Sequence, residues 1–386
     1  MQAAGIAAGL KKNGHPDLGL IYSETTASAA AVFTRNVVQA APVMLDRQRI
    51  PSGRCRAIVV NSGNANCCNG ENGMRDAVAT CAAVAQALDI PEDQVLVAST
   101  GVIGQPLPID RVTEAVPTLV ADLAEDGFER LAAAIMTTDT EPKCIRRQGR
   151  LDDRRFNVVA VAKGAGMIRP DMATMLCFAC TDAAIDAALL DTMLRQAVDQ
   201  SFNRITIDGD TSTNDTVILL ANGSSGAAVQ SASEQAVFQG VLDAIFLDLA
   251  KWLVRDGEGA NKLVEVRVQG AGSDEDARQI ADTVADSPLV KTALFGEDAN
   301  WGRILGAAGR AGVTFDPAKI DLYFDDVRMV AAGVGCGAKA EAAATAVLQQ
   351  SELRITLDLN AGAGVASVLT CDFSLDYVRI NADYRS

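Results

Sequence analysis

The sequence predicts a mixed α/β fold of layered sheets and helices. Strand-like apolar runs alternate with helix-period segments in the first third of the chain, one long helical pattern follows, and two strictly alternating segments lie near the end. Residues 56–60 read as a short apolar strand leading into the turn-rich Asn61-Ser62-Gly63-Asn64-Ala65-Asn66. Met74, Val78, Cys81, Val84 and Leu88 then recur at helical spacing. Residues 94–98 are again strand-like and run into Ser99-Thr100-Gly101-Val102-Ile103-Gly104. Residues 158–162 form a further strand that ends in Lys163, and Thr174 opens another apolar run. A long helix is expected over about 233–254, with Val241, Ile245, Leu249 and Trp252 on one face. Val264, Val266 and Val268 alternate with Glu265, Arg267 and Gln269. Leu353, Ile355, Leu357 and Leu359 alternate with Arg354, Thr356 and Asp358. That is the period of half-buried sheet strands. There is no short-period repeat and no obvious flexible linker.

Composition narrows the function. The 386 residues are 49% hydrophobic and 22% charged, which is globular rather than disordered. A net charge of −15 repels phosphate backbones and anionic lipid, so neither nucleic acid nor a membrane surface is an expected partner. The lone histidine, His15, sits in the polar turn Lys11-Lys12-Asn13-Gly14-His15-Pro16 and reads as a solvated loop residue. Histidine-rich metal sites and a serine triad are thereby excluded, and no metal is expected. Residues 1–10 lack the basic start and long apolar stretch of a signal peptide, and no apolar run reaches the ~20 residues of a membrane span. A cytoplasmic protein with reduced thiols is the expectation for the nine scattered cysteines. Cys177-Phe178-Ala179-Cys180 lacks a second pair for zinc and reads as core thiols in a strand.

Familiar nucleotide and metal loops fail on spacing. No glycine-rich loop ends in Gly-Lys-Ser or Gly-Lys-Thr, and Gly333-Val334-Gly335-Cys336-Gly337 lacks a dinucleotide fingerprint. Asp208-Gly209-Asp210-Thr211-Ser212-Thr213-Asn214 begins like a calcium loop. However, Thr213 replaces the required glycine, and Leu219 stands where the carboxylate should be. No bound cofactor is expected.

The segment that stands out runs Lys163-Gly164-Ala165-Gly166-Met167-Ile168-Arg169-Pro170-Asp171-Met172-Ala173-Thr174-Met175-Leu176. By itself Thr174 reads either as an ordinary strand threonine or as a nucleophile. A hydroxyl needs an adjacent base. A cut before Thr174 would supply one, since an α-amine titrates near ~7.7–8.0. A Gly/Pro-rich turn suits self-cleavage by attack of that hydroxyl on the preceding carbonyl.

Lys163 to Ile168 followed by Met172-Ala173-Thr174-Met175-Leu176 resembles the signature of the ornithine acetyltransferases, the bifunctional arginine-biosynthesis family. The likeness extends along the chain through Asn61–Asn66, Ala98–Gly104, Met136–Thr140, Asp208–Thr216, Asp256–Ala260, Asn300–Arg303 and Ile380–Ser386, in family order. The resemblance implies a layered α/β fold related to that of self-cleaving aminopeptidases. It implies a precursor cut between Ala173 and Thr174 into chains 1–173 and 174–386 that form one intertwined unit, assembled as two copies of each. Thr174 is then the nucleophile that takes the acetyl group from N-acetylornithine and passes it to glutamate. Thr100 and Gly101 form the oxyanion hole. Substrate contacts fall on Thr137, Lys163, Thr174, Glu258, Asn381 and Ser386, with Thr137 preferred over Thr138. Glu258 is expected to favour the cationic side of ornithine and Lys163 the features shared by both amino acids. Acetyl-CoA is a further donor in bifunctional members and enters as a co-substrate. Two departures from the family pattern are Ser386 in place of threonine and Asp171 in place of asparagine near the cut. The alternative reading is a self-processing aminopeptidase of related fold, disfavoured because its nucleophile is usually serine.

Overall fold

The computed structural model describes residues 1–169 and 175–383. The chain divides into two compact units, one of residues Met1–Asn203 and Asp210–Leu253, the other of Arg204–Gly209 and Val254–Ser386. The first is built on an eight-stranded sheet: β1 (Gln2–Ile6), β2 (Leu18–Phe33), β3 (Arg54–Asn64), β4 (Val95–Val102), β5 (Lys143–Leu151), β6 (Arg154–Lys163), β7 (Leu176–Thr181) and β8 (Thr216–Ala221). The spatial order is β4-β3-β2-β8-β7-β6-β5, with β1 on the first half of β2. The β3–β4 and β7–β8 pairs are parallel and the others antiparallel.

Alternation along each strand distributes side chains between two apolar layers. Ile58 and Val60 of β3 pack with Phe128, Leu131 and Ile135 of the helix Phe128–Ile135. Ala57 and Val59 face the opposite way, against the helices Gly70–Leu88 and Ile109–Ala121. A sheet covered on both faces explains why its strands read as continuous apolar runs. All six residues of β7 are buried, so Cys177 and Cys180 are core thiols, and burial pushes the Cys180 thiol up to about 12.

The second unit holds a six-stranded sheet of β9 (Leu263–Ala271), β10 (Asp321–Phe324), β11 (Val327–Ala331), β12 (Val334–Gly335), β13 (Glu352–Asp358) and β14 (Gly364–Cys371), ordered β12-β11-β10-β13-β9-β14. Val264, Val266 and Val268 are buried against Ile280 and Val284 of the helix Asp274–Ala285. Leu359 is buried one residue beyond the end of β13. The Asn300–Arg303 block is a helix start: Asn300 Oδ1 accepts from Arg303 N at 3.2 Å, capping the helix Trp301–Gly309.

Two expectations are corrected. The turn expected from Asn61 is a continuation of β3, and the strand expected over 94–98 continues to Val102; the two pair in parallel through Gly63 and Gly101. Side-chain hydrogen bonds satisfy the polar residues there, so polarity does not end the ladder. The long helix spans Ala232–Arg255, but its buried stripe is Phe238, Leu242, Ile245, Phe246, Leu249 and Leu253. Val241 and Trp252 are half-buried beside it. Among the described residues, no helix is long and apolar enough to cross a membrane. His15 is exposed, as a loop residue should be.

Candidate active site

Parallel pairing carries β3 and β4 to adjacent ends, which places Ser62 beside Thr100 and Gly63 beside Gly101. Gly101 has φ +132°, and a Cβ there would collide with the Gly63 carbonyl carbon and the Asn64 nitrogen. Only glycine fits. The polar block beneath is tied down on several sides. Ser99 Oγ donates to Asn61 Oδ1 at 2.5 Å, Asn61 Nδ2 donates to Asn64 O at 2.8 Å, and Ser62 Oγ donates to Ala134 O at 2.5 Å. Asn214 Nδ2 donates to both Ser99 O (2.8 Å) and Ala65 O (2.6 Å).

Lys163, the last residue of β6, is 7% exposed and donates from Nζ to Thr137 Oγ1 at 2.7 Å and to Thr100 Oγ1 at 3.2 Å. An ammonium only donates, so both threonine oxygens act as acceptors there and each retains its own O–H to give elsewhere. Residues 137 and 163 are far apart in sequence, and Asp139 holds their backbones together. Its Oδ1 accepts from Gly164 N at 2.7 Å and Lys143 Nζ at 2.9 Å, and its Oδ2 accepts from Thr137 N at 3.1 Å. Burial would raise this carboxyl, but the Lys163 and Lys143 charges and these hydrogen bonds hold it below the usual carboxylate range. Lys11 lies against the same face, its Cγ 3.2 Å from where a Cβ on Gly63 would sit. Burial lowers Lys11 to about 8; Asp17 opposes that shift and Lys163 adds to it.

In the second unit Glu258, 7% exposed, follows the long helix in a tight glycine-flanked loop. Gly259 has φ +67°, and a Cβ there would meet Tyr377 N at 2.5 Å and Ser374 Oγ at 2.6 Å. That close approach brings the helix Leu375–Asp383 onto the loop, and Asn381 Nδ2 donates to Glu258 Oε2 at 2.7 Å and to Tyr377 O at 3.0 Å. Tyr377 stacks on Phe373 with centroids 4.8 Å apart. Thus Thr100, Gly101, Thr137 and Lys163 are gathered in the first unit, and Glu258 and Asn381 in the second. Ala173, Thr174, Asp171 and Ser386 lie outside the described residues, while Thr138 is half-buried beside Thr137.

A family model described as the ArgJ family matches residues 2–386. A protein of Geobacter sulfurreducens named arginine biosynthesis bifunctional protein ArgJ is 53% identical over 383 residues, covering 99% of this chain and 98% of that one. The chain belongs to the ArgJ family. A second ArgJ, from Syntrophotalea carbinolica, is 51% identical over 98% of this chain and 97% of its own length. The crystal structure of an ArgJ bifunctional protein from Bacillus halodurans is similar at 41% identity and a TM-score of 0.50, covering 52% of this chain and 95% of that one. The chain is an enzyme of the ArgJ family, with the mixed α/β fold expected. Among the described residues, no cluster of three or more His, Cys, Asp or Glu side chains could hold a metal ion.

Several residues that hold this arrangement together escape the reading of the sequence alone. Asp139 carried a signal, a carboxylate two residues from Thr137 in the Met136–Thr140 block, but its partners Lys143 and Gly164 are visible only in the fold. Asn214 and Ser99 had none beyond membership of polar blocks.

Proposed function

We propose that the protein transfers an acetyl group from N-acetylornithine to glutamate through an acetylated Thr174, and that acetyl-CoA serves as a second donor. The observation that carries the reading is Lys163 bonded to the hydroxyls of both Thr100 and Thr137, beside a glycine whose backbone no other residue could adopt. Whole-length similarity to relatives named bifunctional ArgJ supports the two donors. A chain cut between Ala173 and Thr174 gives Thr174 its own α-amine as base. Thr174 Oγ attacks the acetyl carbonyl as its proton passes to that amine. Thr100 O–H and Gly101 N–H bond the oxygen on which negative charge develops. The C–N bond to ornithine then breaks, and the ammonium returns the proton to the leaving nitrogen. Glutamate's amine attacks the acetyl ester in turn, loses a proton to the α-amine, and Thr174 Oγ recovers it. Lys163 recognises what both amino acids share, with Thr137, while Glu258, held by Asn381, favours the cationic side of ornithine. Two copies of each chain in a cytoplasmic enzyme complete the proposal.

Because ornithine leaves before glutamate attacks, initial-rate plots with both substrates varied should give parallel lines. Intersecting lines reject the acetyl-enzyme. Hydrolysis of simple peptide amides without transfer to glutamate would favour the aminopeptidase alternative instead. Thr100→Ala should lower kcat by about 10²–10³-fold with KM little changed, since the lost bond belongs to the transition state. A raised KM at constant kcat would reassign Thr100 to substrate binding.

A further inference from the structure

Cys67 and Cys68 are consecutive residues whose Sγ atoms lie 3.7 Å apart. In extended backbone, successive side chains point to opposite sides, and two neighbouring thiols diverge. Here β3 has ended at Asn64, and Asn66 and Cys68 both take left-handed backbone, at φ +44° and +61°. Residues with a Cβ seldom adopt that region. The turn folds both thiols to one side, Cys67 buried and Cys68 exposed. Its flanks are tied down: Cys67 O accepts from Gly104 N at 3.0 Å, and Ala65 N donates to Val102 O at 3.0 Å. Asn66 Nδ2 donates to Gly73 O at 2.8 Å, and Asn69 Nδ2 donates to Gln105 O at 2.9 Å.

The separation selects the chemistry. A disulfide needs sulfurs ~2.05 Å apart and Cα atoms at least ~4.4 Å apart, whereas neighbouring Cα atoms stand ~3.8 Å apart across a trans peptide. A direct S–S bond here would be strained. Two thiolates on one tetrahedral centre with bonds of ~2.3 Å, by contrast, stand about 3.8 Å apart. The pair is spaced to share one bridging atom.

We infer that Cys67 and Cys68 form a vicinal dithiol site that captures a trivalent thiophilic centre, such as an arsenical bearing two exchangeable hydroxyls. Two S–As bonds form and two As–O bonds break. Each thiol proton leaves with a hydroxide as water, and no electron is transferred. Cys68, at the surface, makes the first bond, and Cys67 closes the ring. Burial pushes the Cys67 thiol above its ordinary range, against a hydrogen bond from Thr213, so its reaction depends on Cys68 holding the arsenic beside it.

Capture reaches the candidate active site through two ties. Thr213, which bonds the Cys67 thiol, donates from Oγ1 to Asn214 Oδ1 at 2.7 Å, and Asn214 grips Ser99 O beside Thr100. Cys67 O holds Gly104, three residues past Gly101. Drawing the Cys67 sulfur onto arsenic disturbs both, so an occupied site slows acetyl transfer. That consequence rests on the acetyl-transfer reading above; the capture itself does not.

The test incubates native full-length protein with phenylarsine oxide, then adds excess glutathione, a monothiol that strips singly bound arsenic. Mass spectrometry should find one phenylarsenic group on the peptide that holds residues 67 and 68, released by dimercaptopropanol. Cys67→Ser and Cys68→Ser should each bind at least ~10²-fold more weakly, because the second bond is lost. Wild-type transfer should fall at least ~10-fold on capture, part of what losing an oxyanion donor costs. Cys68→Ser, altered at an exposed position, should transfer at the wild-type rate and escape inhibition. An adduct that glutathione strips from the wild type, or one that survives it in Cys68→Ser, overturns the site. Captured wild type that transfers at full rate overturns the link to the active site. Protein that captures arsenic and transfers no acetyl group in its absence removes the function reading and supports the dithiol site.

Discussion

Thr174→Ala is expected to remain a single chain of 386 residues and to lose acetyl transfer by at least ~10³-fold, as deletions of covalent nucleophiles do. The wild type should separate under denaturing conditions into fragments 1–173 and 174–386. On the proposed mechanism both effects have one origin: the hydroxyl that opens the peptide bond is the hydroxyl that later carries the acetyl group. The described residues before the cut are held in place, because Ile168 bridges Thr211 and Arg169 O accepts from Thr211 Oγ1 at 3.1 Å. Met167, at φ +53°, adds a left-handed residue to that approach. Across the proposed cut, β6 and β7 pair antiparallel from Val158 to Lys163, and β7 pairs with β8. The two fragments should therefore stay together without denaturant, and thermal stability should be nearly unchanged in the alanine variant. Full transferase activity from an uncut chain would remove the argument that the α-amine is the base.

The largest expected loss of stability comes from Asp139→Asn. Lys143 is 0% exposed and its Nζ lies 2.9 Å from Asp139 Oδ1, so neutralising Asp139 removes one charged partner of a buried ammonium. Breaking one partner of a buried pair costs about 3–5 kcal/mol. Urea unfolding of the variant should show a loss of that order. Because Asp139 also anchors Thr137 N and Gly164 N, kcat should fall too. The pH dependence has a defined sign. The folded-state pKa of Asp139 is depressed, so its stabilisation is complete above the unfolded value, about 3.9, and is lost as pH falls through the lower folded value. Wild type and variant should therefore converge in stability only in strong acid. A variant as stable as wild type at neutral pH would show that Lys143 finds another partner.

Periodicity and turn chemistry determined a good deal of this protein from sequence alone. Alternation set Val264, Val266 and Val268 on the buried side of β9. The single histidine ruled out whole classes of chemistry, and the ordered family blocks pointed to the ArgJ family. These are local properties, fixed by steric limits on one residue or by spacing along one element. Tertiary structure decided the rest. Asn61 to Asn64 look like a turn because their polarity is read without partners; Ser99, Ala134, Gln105 and Pro106 supply those partners and let the strand continue. The buried face of the helix Ala232–Arg255 is displaced from Val241 and Trp252 because what packs against a helix, and not its own pattern, selects the covered side. Asp139 and Lys143 are unremarkable charges in a polar stretch until β5 and β6 fold them into a pair beside Lys163.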